Sequence, residues 1–274
     1  MPSGCEVRGG GCVTMPAQAI VHPTAIVHPD AVLGQDVEVG PWALIAGTVK
    51  IGARTKVGPR VTIEGHTTIG EDNEFFTGAV IGSLTQDRKA DGGVSYLKIG
   101  DRNTIREYAT LNPGTLNGTE TVVGNENLLM AYAHVAHDCI IHNGCTLANN
   151  ATLAGHVIVE DKAIIGGLSA VHQFVRIGKL SITGGCSKVV QDIPPFMMVD
   201  GHPAQAFGIN SVGLDRAGYT PADKSAIKKA FKIIFKSGLI LKNVIKQIQT
   251  DIPSSPSIQT ILSFLEKSER GLCG

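Results

Sequence analysis

A histidine, an aspartate and a second histidine lie at a spacing that suits acid–base chemistry. His137 and Asp138 are neighbours, and His156 follows Asp138 by 18 residues. Gly155 follows His137 by the same 18 residues, and Gln173 follows Gly155 by 18 more. In a chain that repeats every 18 residues, these residues form two adjacent columns. A histidine whose tautomer is fixed by a carboxylate is suited to act as a general base. Gly155 leaves room for a substrate and exposes an N–H group that can stabilise an oxyanion.

A zinc site is the main competing interpretation of the same block. His134, His137 and His156 form a His-x-x-His pair with a third histidine, a set that can ligate zinc. Asp138 beside His156 satisfies these groups without a metal, so we favour a base over zinc, and zinc over a purely structural cluster. Four other histidines have no acidic partner in the repeat and are interpreted as surface or corner residues: His22, His28, His66 and His142.

The element that must position these residues is a hexapeptide repeat. An aliphatic or aromatic residue occupies every sixth position over residues 21–81, 99–111 and 123–189, broken in the last stretch only by Thr183. A helix face repeats near 3.6 residues and a strand face at 2, so a period of six indicates a solenoid of short flat strands. Three hexapeptides close a triangular coil, and residues one coil apart then stack about 4.8 Å from each other.

Glycine often follows the repeating aliphatic residue directly, as at Gly34 and Gly52. Because glycine tolerates a positive φ, we predict that these glycines form the sharp corners of the coil. Each hexapeptide is then one flat strand and one corner.

Two stretches interrupt the repeat, at residues 82–98 and residues 112–122. Loops that project from a rigid scaffold often carry binding sites. The first loop contains Gln86, Asp87 and Lys89, a polar cluster suited to a sugar or a phosphate. The second loop is interpreted as a tolerated surface insertion.

Composition excludes several functional classes. The 24 lysines and arginines balance 24 acids, so the chain lacks the global basic field of nucleic-acid-binding proteins. No apolar run approaches the roughly 20 residues of a membrane span, which predicts a soluble protein. The six cysteines form no C-x-x-C pair, and this favours free thiols in a reducing compartment.

The pattern divides the chain into three parts. Residues 1–18 precede the repeat and are predicted to be a flexible N-terminal extension; residues 19–192 form the β-helix; residues 193–274 form a proline-rich linker and a helical domain. Three helices are predicted, beginning at Thr220-Pro221, covering Leu239–Gln249 and covering about Ile258–Lys267.

Lysines are concentrated in the first two of these helices. Between Pro221 and Thr250 there are seven lysines and one acid, Asp223, a net charge of +6 (seven minus one). A charged helix face is most often only solvated. In an otherwise neutral chain, however, this cluster favours an acidic protein partner that is steered electrostatically.

Long ordered motifs connect the chain to a known family. They are QDRK at 86–89, IGDRNTIRE at 99–107, NLLMAYAHVAHDC at 127–139, LANNATLAGH at 147–156, VHQF at 171–174 and GGCS at 184–187. Over roughly residues 19–274 the chain resembles the acyl carrier protein–UDP-N-acetylglucosamine O-acyltransferase family, which performs the first step of lipid A synthesis. The resemblance implies a mainly β fold, a left-handed parallel β-helix with a C-terminal helical domain. It also implies a homotrimer with sites between subunits.

The resemblance also implies roles for individual residues. The general base falls on His137, supported by Asp138, with Gly155 as the oxyanion donor. His137 would take the proton of the sugar 3-hydroxyl as that oxygen attacks the thioester of a 3-hydroxyacyl chain on acyl carrier protein. No metal or organic cofactor is implied beyond the phosphopantetheine that the carrier protein brings. The predicted substrate-binding residues are Gln86, Asp87, Lys89, His134, His156, His172 and Gln173, with Gly185 limiting acyl-chain length and Asn210 and Arg216 near the nucleotide.

Two motifs depart from the family pattern. GHPA at 201–204 stands where many relatives have GNHA, and LDRAG at 214–218 where they have LKRRG, so acyl-chain length is not assigned. The location is predicted to be cytoplasmic for a bacterial protein and the mitochondrial matrix for a plant homologue. Three alternatives stay open: the sister N-acyltransferase that acts on a UDP-linked glucosamine, a γ-type carbonic anhydrase with zinc, and a non-catalytic β-helix scaffold.

Overall fold

A three-sided coil of parallel strands forms most of the molecule. The computed structural model describes residues 19–274, so the predicted N-terminal extension lies outside the described residues. Successive strands along the coil fall on three different sheets, of 11, nine and eight strands. We number these sheets 1, 2 and 3 in chain order and name each corner by the two sheets that it joins, as in the 2–3 corner.

The strands of the coil are mostly two residues long. Sheet 1 consists of Ile20–Val21, Glu38–Val39, Lys56–Val57, Glu74–Phe75, Thr104–Ile105, Leu128–Leu129, Thr146–Leu147, Ile164–Ile165, Ile182–Thr183, Met197–Gly201 and Ala204–Ile209. Sheet 2 consists of Ile26–Val27, Leu44–Ile45, Thr62–Ile63, Val80–Ile81, Thr110–Leu111, His134–Val135, Thr152–Leu153, Ala170–Val171 and Lys188–Val189. Sheet 3 consists of Val32–Leu33, Lys50–Ile51, His66–Ile69, Tyr96–Ile99, Glu120–Val123, Ile140–Ile141, Ile158–Val159 and Arg176–Ile177.

Strands stack in register at the predicted interval. Glu38 pairs with Lys56, and His134 pairs with Thr152. In both pairs the partner lies 18 residues, or one coil, further along the chain. The repeating aliphatic residues therefore form continuous inward columns. Burial of each such side chain is worth about 1.5–3 kcal/mol relative to an exposed one. Thr183, the one polar residue in the aliphatic series, is also buried, with 2% of its surface exposed.

The two interruptions lengthen the coil without changing its phase. Ile69 pairs with Ile99 across the first loop, and Ile99 pairs with Val123 across the second. These two coils are longer than the regular coil by two hexapeptides and by one, so each insertion is a whole number of repeats. Both loops leave after a strand of sheet 2 and return at the next strand of sheet 3. They therefore project from the 2–3 corner.

The prediction that glycine forms the corners was wrong at Gly34 and Gly52. The positive φ belongs to the residue two positions later, as at Asp36 (56°) and Arg54 (58°). Glycine is required for a different reason, because a Cβ on Gly34 would lie 2.6 Å from the backbone nitrogen of Ala53 in the next coil. The corner position itself carries a side chain, which leaves it free to serve a function.

A hairpin continues the stacking beyond residue 192, where the linker was predicted to begin. Met197–Gly201 pairs in parallel with Ile182–Thr183 of sheet 1 and antiparallel with Ala204–Ile209. The helical region is thereby attached to the last coil through main-chain hydrogen bonds.

Four helices follow the hairpin: α1 (Ser211–Arg216), α2 (Pro221–Lys236), α3 (Leu241–Asp251) and α4 (Pro256–Glu266). The three predicted helices correspond to α2, α3 and α4 within about two residues, which is the ordinary uncertainty of helix ends, and α1 was not predicted. The start of α2 is capped as expected, since the Thr220 hydroxyl accepts from the Asp223 N–H at 3.1 Å. Among the helices of residues 19–274, none combines the length and the apolar character that a bilayer crossing needs.

Candidate active site

His137 and Asp138 form a largely buried pair at the 2–3 corner. Asp138 occupies the left-handed corner position, with φ of 58°, and its Oδ2 lies 2.8 Å from His137 Nδ1. Burial acts to raise the pKa of Asp138, but interactions with the side chains of His137, Thr119 and Thr115 outweigh it, so this pKa lies below its ordinary value. The ionised carboxylate accepts the Nδ1–H group, and this leaves the lone pair of the His137 imidazole on Nε2.

The first loop reaches this pair. Asp87 Oδ2 lies 3.4 Å from His137 Nε2, and 27% of the Asp87 side chain is exposed. The loop is held in place by Asn112, whose side-chain amide donates to the Ser83 carbonyl at 2.9 Å. The fold of this loop therefore brings a second carboxylate to the imidazole.

Gln86 and Lys89 lie on the same loop but stay exposed to solvent. The Lys89 backbone N–H donates to Asp87 Oδ1 at 2.9 Å, and this bond orients the carboxylate. Of the three predicted residues of the first loop, only Asp87 contacts His137.

His156 stacks above Asp138 as the repeat spacing predicted. It has φ of 60°, and its Nε2 lies 3.7 Å from Asp138 Oδ2. The His156 ring meets the His137 ring edge-on at 5.2 Å and stacks on Phe174 at 4.7 Å. The next coil adds His172 and Gln173, both exposed at the same corner.

The prediction that Gly155 leaves room for a substrate above His137 differs from the structure in one respect. A Cβ at this position would lie 2.3 Å from Cε1 and 2.4 Å from Nε2 of His137, so the space above His137 is filled by its own imidazole ring. Glycine is therefore needed for the histidine to fit and not to leave an empty space. Its N–H donates no hydrogen bond within residues 19–274.

His134 lies in the sheet 2 strand that leads into this corner. Its Nδ1 is 2.6 Å from the Thr110 hydroxyl of the coil below. Burial and, to a smaller extent, the charge of His137 hold the pKa of His134 below its ordinary value. The imidazole is therefore neutral near pH 7 and interacts through hydrogen bonds.

Three predicted residues lie at the other two corners. Gly185 is at the 1–2 corner, where a Cβ would meet only the Gly167 carbonyl, at 3.4 Å. Asn210 donates to the Leu180 carbonyl of the 3–1 corner at 2.9 Å and caps α1, which ends at Arg216. Within one chain, Gly185 and Asn210 therefore lie at different corners of the three-sided coil from His137.

The predicted zinc ligands are only partly brought together. Among residues 19–274, the cluster able to hold a metal consists of His137, Asp138 and His156, whose ligand atoms lie within 4.8 Å of one another. His134 is not part of it, since its Nδ1 faces the Thr110 hydroxyl. The 2.8 Å separation of His137 Nδ1 and Asp138 Oδ2 is that of a direct hydrogen bond, which favours the general-base interpretation.

The prediction that the second loop is only a tolerated surface insertion was wrong. The backbone N–H of Thr115 donates to Asp138 Oδ2 at 3.2 Å, and the Asp138 N–H donates to the Thr121 hydroxyl at 2.8 Å. The signal that reveals this contact is the position of the loop in the period, because it interrupts the repeat at the same corner that carries His137.

A cleft of about 650 Å³ opens beside this corner. His156 and Phe174 line it on the corner side, and Arg176, Glu160 and Lys267 line it further along. A volume of this order accommodates a small-molecule ligand.

Comparison with known proteins identifies the family. Residues 192–273 match the model for domain 2 of UDP-N-acetylglucosamine O-acyltransferase, and residues 120–155 match the bacterial transferase hexapeptide model. An acyl-[acyl-carrier-protein]–UDP-N-acetylglucosamine O-acyltransferase of Gloeothece citriformis is 48% identical over 75% of this chain and 74% of its own length. The chain belongs to this O-acyltransferase family. The resemblance to this family that the sequence motifs indicated is thereby confirmed.

Solved structures agree with this assignment. LpxA from Acinetobacter baumannii has a TM-score of 0.89 and 42% identity, and it covers 93% of this chain and 100% of its own. LpxA from Bacteroides fragilis, a UDP-N-acetylglucosamine acyltransferase, has a TM-score of 0.90 and 40% identity over the same shares. The O-acyltransferase fold of this chain is the predicted left-handed parallel β-helix with a C-terminal helical region. Family membership disfavours the N-acyltransferase, carbonic anhydrase and scaffold alternatives.

Proposed function

We propose that this chain transfers a 3-hydroxyacyl group from acyl carrier protein to the 3-hydroxyl of UDP-N-acetylglucosamine. Family membership supports the reaction and both substrates. The observation that carries the mechanism is the His137–Asp138 pair, in which the carboxylate fixes Nδ1–H at 2.8 Å and leaves Nε2 free to accept a proton.

The reaction divides into two proton transfers around one acyl transfer. His137 Nε2 takes the proton of the sugar hydroxyl as the oxygen attacks the thioester carbon, and the Gly155 N–H stabilises the resulting oxyanion. When the C–S bond breaks, the imidazolium returns the proton to the phosphopantetheine thiolate. Asp138 stays ionised and stabilises the imidazolium. The chain supplies no metal or organic cofactor in this scheme.

The remaining residues bind substrate. Asp87, 3.4 Å from Nε2, can accept a hydrogen bond from a second hydroxyl of the same sugar. His134, Gln173 and His156 surround the same corner. Gln86, Lys89 and His172 extend this binding surface at its edges.

The activity test is incubation with UDP-N-acetylglucosamine and carrier proteins that bear 3-hydroxyacyl chains of different length. The expected product is a singly O-acylated sugar nucleotide, and its mass gives the preferred chain. A product formed only when the acceptor carries a free 2-amino group would instead establish the N-acyltransferase. No product with either acceptor would contradict the proposal.

We also propose that three chains form a closed ring. Asn210 lies against the 3–1 corner and caps the helix that ends at Arg216, and Gly185 lies at the 1–2 corner. These residues therefore complete a site at His137 only if a neighbouring chain supplies them. A three-fold arrangement of the prisms brings different corners of adjacent chains together. We expect light scattering to give three times the 28.8 kDa of one chain. A monomer at working concentration would contradict the assembly and leave the nucleotide residues without a role.

The acyl carrier protein is proposed to dock on α2 and α3. Carrier proteins are acidic. On α2, the side chains of Lys228, Lys229 and Lys232 are all exposed to solvent. Lys242 and Lys246 extend the same charge along α3. Long-range attraction between opposite charges raises the rate of encounter and is screened by salt over about 10 Å at 0.1 M.

Charge reversal of three of these lysines tests the docking surface. Lys228→Glu, Lys229→Glu and Lys232→Glu together should lower kcat/KM for the acyl carrier protein by at least about tenfold and remove most of its salt dependence. The KM for UDP-N-acetylglucosamine should not change. Lys→Gln at the same three positions serves as the control, because a charge effect should be about half as large. An unchanged salt dependence after reversal would show that these lysines are only a solvated face.

A further inference from the structure

Thr115 carries a buried hydroxyl that the fold does not use. Only 8% of this residue is exposed, and its Oγ1 has no hydrogen-bond partner of good geometry among the residues that the structure describes. An unpaired buried hydroxyl is destabilising, so its presence calls for an explanation. The Thr115 backbone N–H donates to Asp138 Oδ2 at 3.2 Å, and the side chain lies close enough to help lower the pKa of this carboxyl.

We propose that Thr115 is a positioning residue: its N–H holds the Asp138 carboxylate in the orientation that fixes His137, and its hydroxyl turns to donate to the same carboxylate as His137 gains the substrate proton. The inference rests on the proposed function, because it assigns Thr115 a part in the same proton transfer. As His137 gains the substrate proton, the carboxylate must stay ionised and aligned with Nδ1. A hydroxyl that is uncommitted elsewhere can turn to donate to Asp138 at that stage.

The surroundings of Asp138 agree with such a role. His137 lies beside it on the same corner, and His156 faces it from the coil above at 3.7 Å. Asp87 approaches from the first loop and places a second carboxylate 3.4 Å from His137 Nε2. The corner therefore holds two carboxylates, and donors from the second loop are needed to keep the Asp138 charge stabilised.

Two further contacts reach the corner, one from the strand Glu120–Val123 that ends the loop and one from the loop itself. The Thr121 hydroxyl accepts from the Asp138 N–H at 2.8 Å, so the main chain of Asp138 is fixed as well as its side chain. The Thr119 hydroxyl lies within reach of the same carboxylate and also donates to the Leu116 carbonyl at 3.0 Å. Thr115 is distinct because its hydroxyl has no such alternative partner in the described chain.

The substitution Thr115→Val removes the hydroxyl and keeps the shape and the backbone N–H. We expect kcat to fall by about tenfold to 150-fold, as for the loss of one hydrogen bond to a charged group, with little change in KM for UDP-N-acetylglucosamine. Without the hydroxyl that donates to the carboxylate as His137 becomes protonated, the protonated His137–Asp138 pair is less stable. The acidic limb of the pH profile of kcat/KM should therefore move to lower pH. Thr115→Ser, which restores the hydroxyl, should restore both values.

A matched control is available in the core of the coil. Thr183 also has a buried Oγ1 without a partner in the described chain, yet it occupies an inward position of sheet 1. Thr183→Val should leave kcat and the pH profile unchanged and raise the unfolding temperature. Thr115→Val should not lower that temperature, since it too removes an unpaired hydroxyl. This combination of lower activity and undiminished stability cannot arise from a packing role.

Wild-type kcat and pH profile in Thr115→Val would overturn the inference. So would an equal loss in Thr115→Ser, because that loss would follow from the methyl group and not from the hydroxyl. The NMR resonance of the His137 Nδ1 proton should also move in Thr115→Val without substrate, because this proton reports the hydrogen bond to Asp138. This readout separates a failure of the positioning role from a failure of the proposed reaction.

Discussion

Replacement of His137 by alanine is expected to lower kcat/KM by about 10²–10⁴-fold while the chain stays folded, the range that a general base contributes. Nε2 of this residue is the one atom of the pair that is both basic and free of the Asp138 hydrogen bond. Because the loss concerns proton transfer, kcat should fall more than KM rises. Steady-state rates with saturating acyl carrier protein measure the effect.

His28→Ala is the matched control for this substitution. His28 lies at the 2–3 corner of the first coil, where its exposed ring has Nδ1 3.6 Å from a carboxylate oxygen of Asp30. His28 and Asp30 thus resemble the proposed catalytic pair in composition and lie on the same edge, but in the first coil. His28→Ala should retain wild-type rates and the same assembly state. A folded His137→Ala protein with near-wild-type kcat would remove His137 from the mechanism.

Addition of a single methyl group at Gly155 is expected to lower kcat by at least about 10²-fold. The new Cβ in Gly155→Ala would lie 2.3 Å from Cε1 of His137, and the imidazole must move to relieve this overlap. Movement of the ring breaks its 2.8 Å hydrogen bond to Asp138 and misaligns Nε2 with the substrate hydroxyl. A displacement of about 1 Å can cost on the order of 10²-fold in rate.

Gly208→Ala controls for the addition of a methyl group as such. A Cβ at Gly208 meets no atom within 4 Å, so this variant should behave as wild type. The displaced ring in Gly155→Ala should also be visible as changed NMR chemical shifts of the His137 ring. Full activity in a folded Gly155→Ala protein would mean that the ring position described above is not the working one.

The period of the sequence predicted much of the site because the fold is itself periodic. A spacing of three hexapeptides becomes a vertical stack, so the position of His156 over Asp138 follows from the residue numbers alone. The same reasoning assigned the positive φ of the corner to the wrong residue, since the period does not show which of three consecutive residues adopts it. At Gly34 contact with the next coil decided the residue type, and Asp36 adopts the positive φ.

Contacts from the loops could not be read from the period. Asp87 was selected for its chemistry, but Thr115 has an ordinary side chain whose importance depends on how the loop folds back. The residues proposed to contact the nucleotide show a different limit. Asn210 lies against the 3–1 corner and His137 at the 2–3 corner, so the period within one chain does not bring them to a common ligand.

The location of both insertions at the 2–3 corner has a consequence for how such enzymes can change over evolution. Each strand is hydrogen-bonded to the coils above and below, so a loop that leaves and re-enters at a corner does not disturb the core. Doubling the length of a loop adds only about 0.6 kcal/mol of closure free energy. New specificity can therefore arise from changes in loop length at the 2–3 corner. The His137–Asp138 pair and the His156 ring above it would keep their positions. The turns at His156 and Phe174 are the next places along that edge where an inserted segment would reach an incoming substrate.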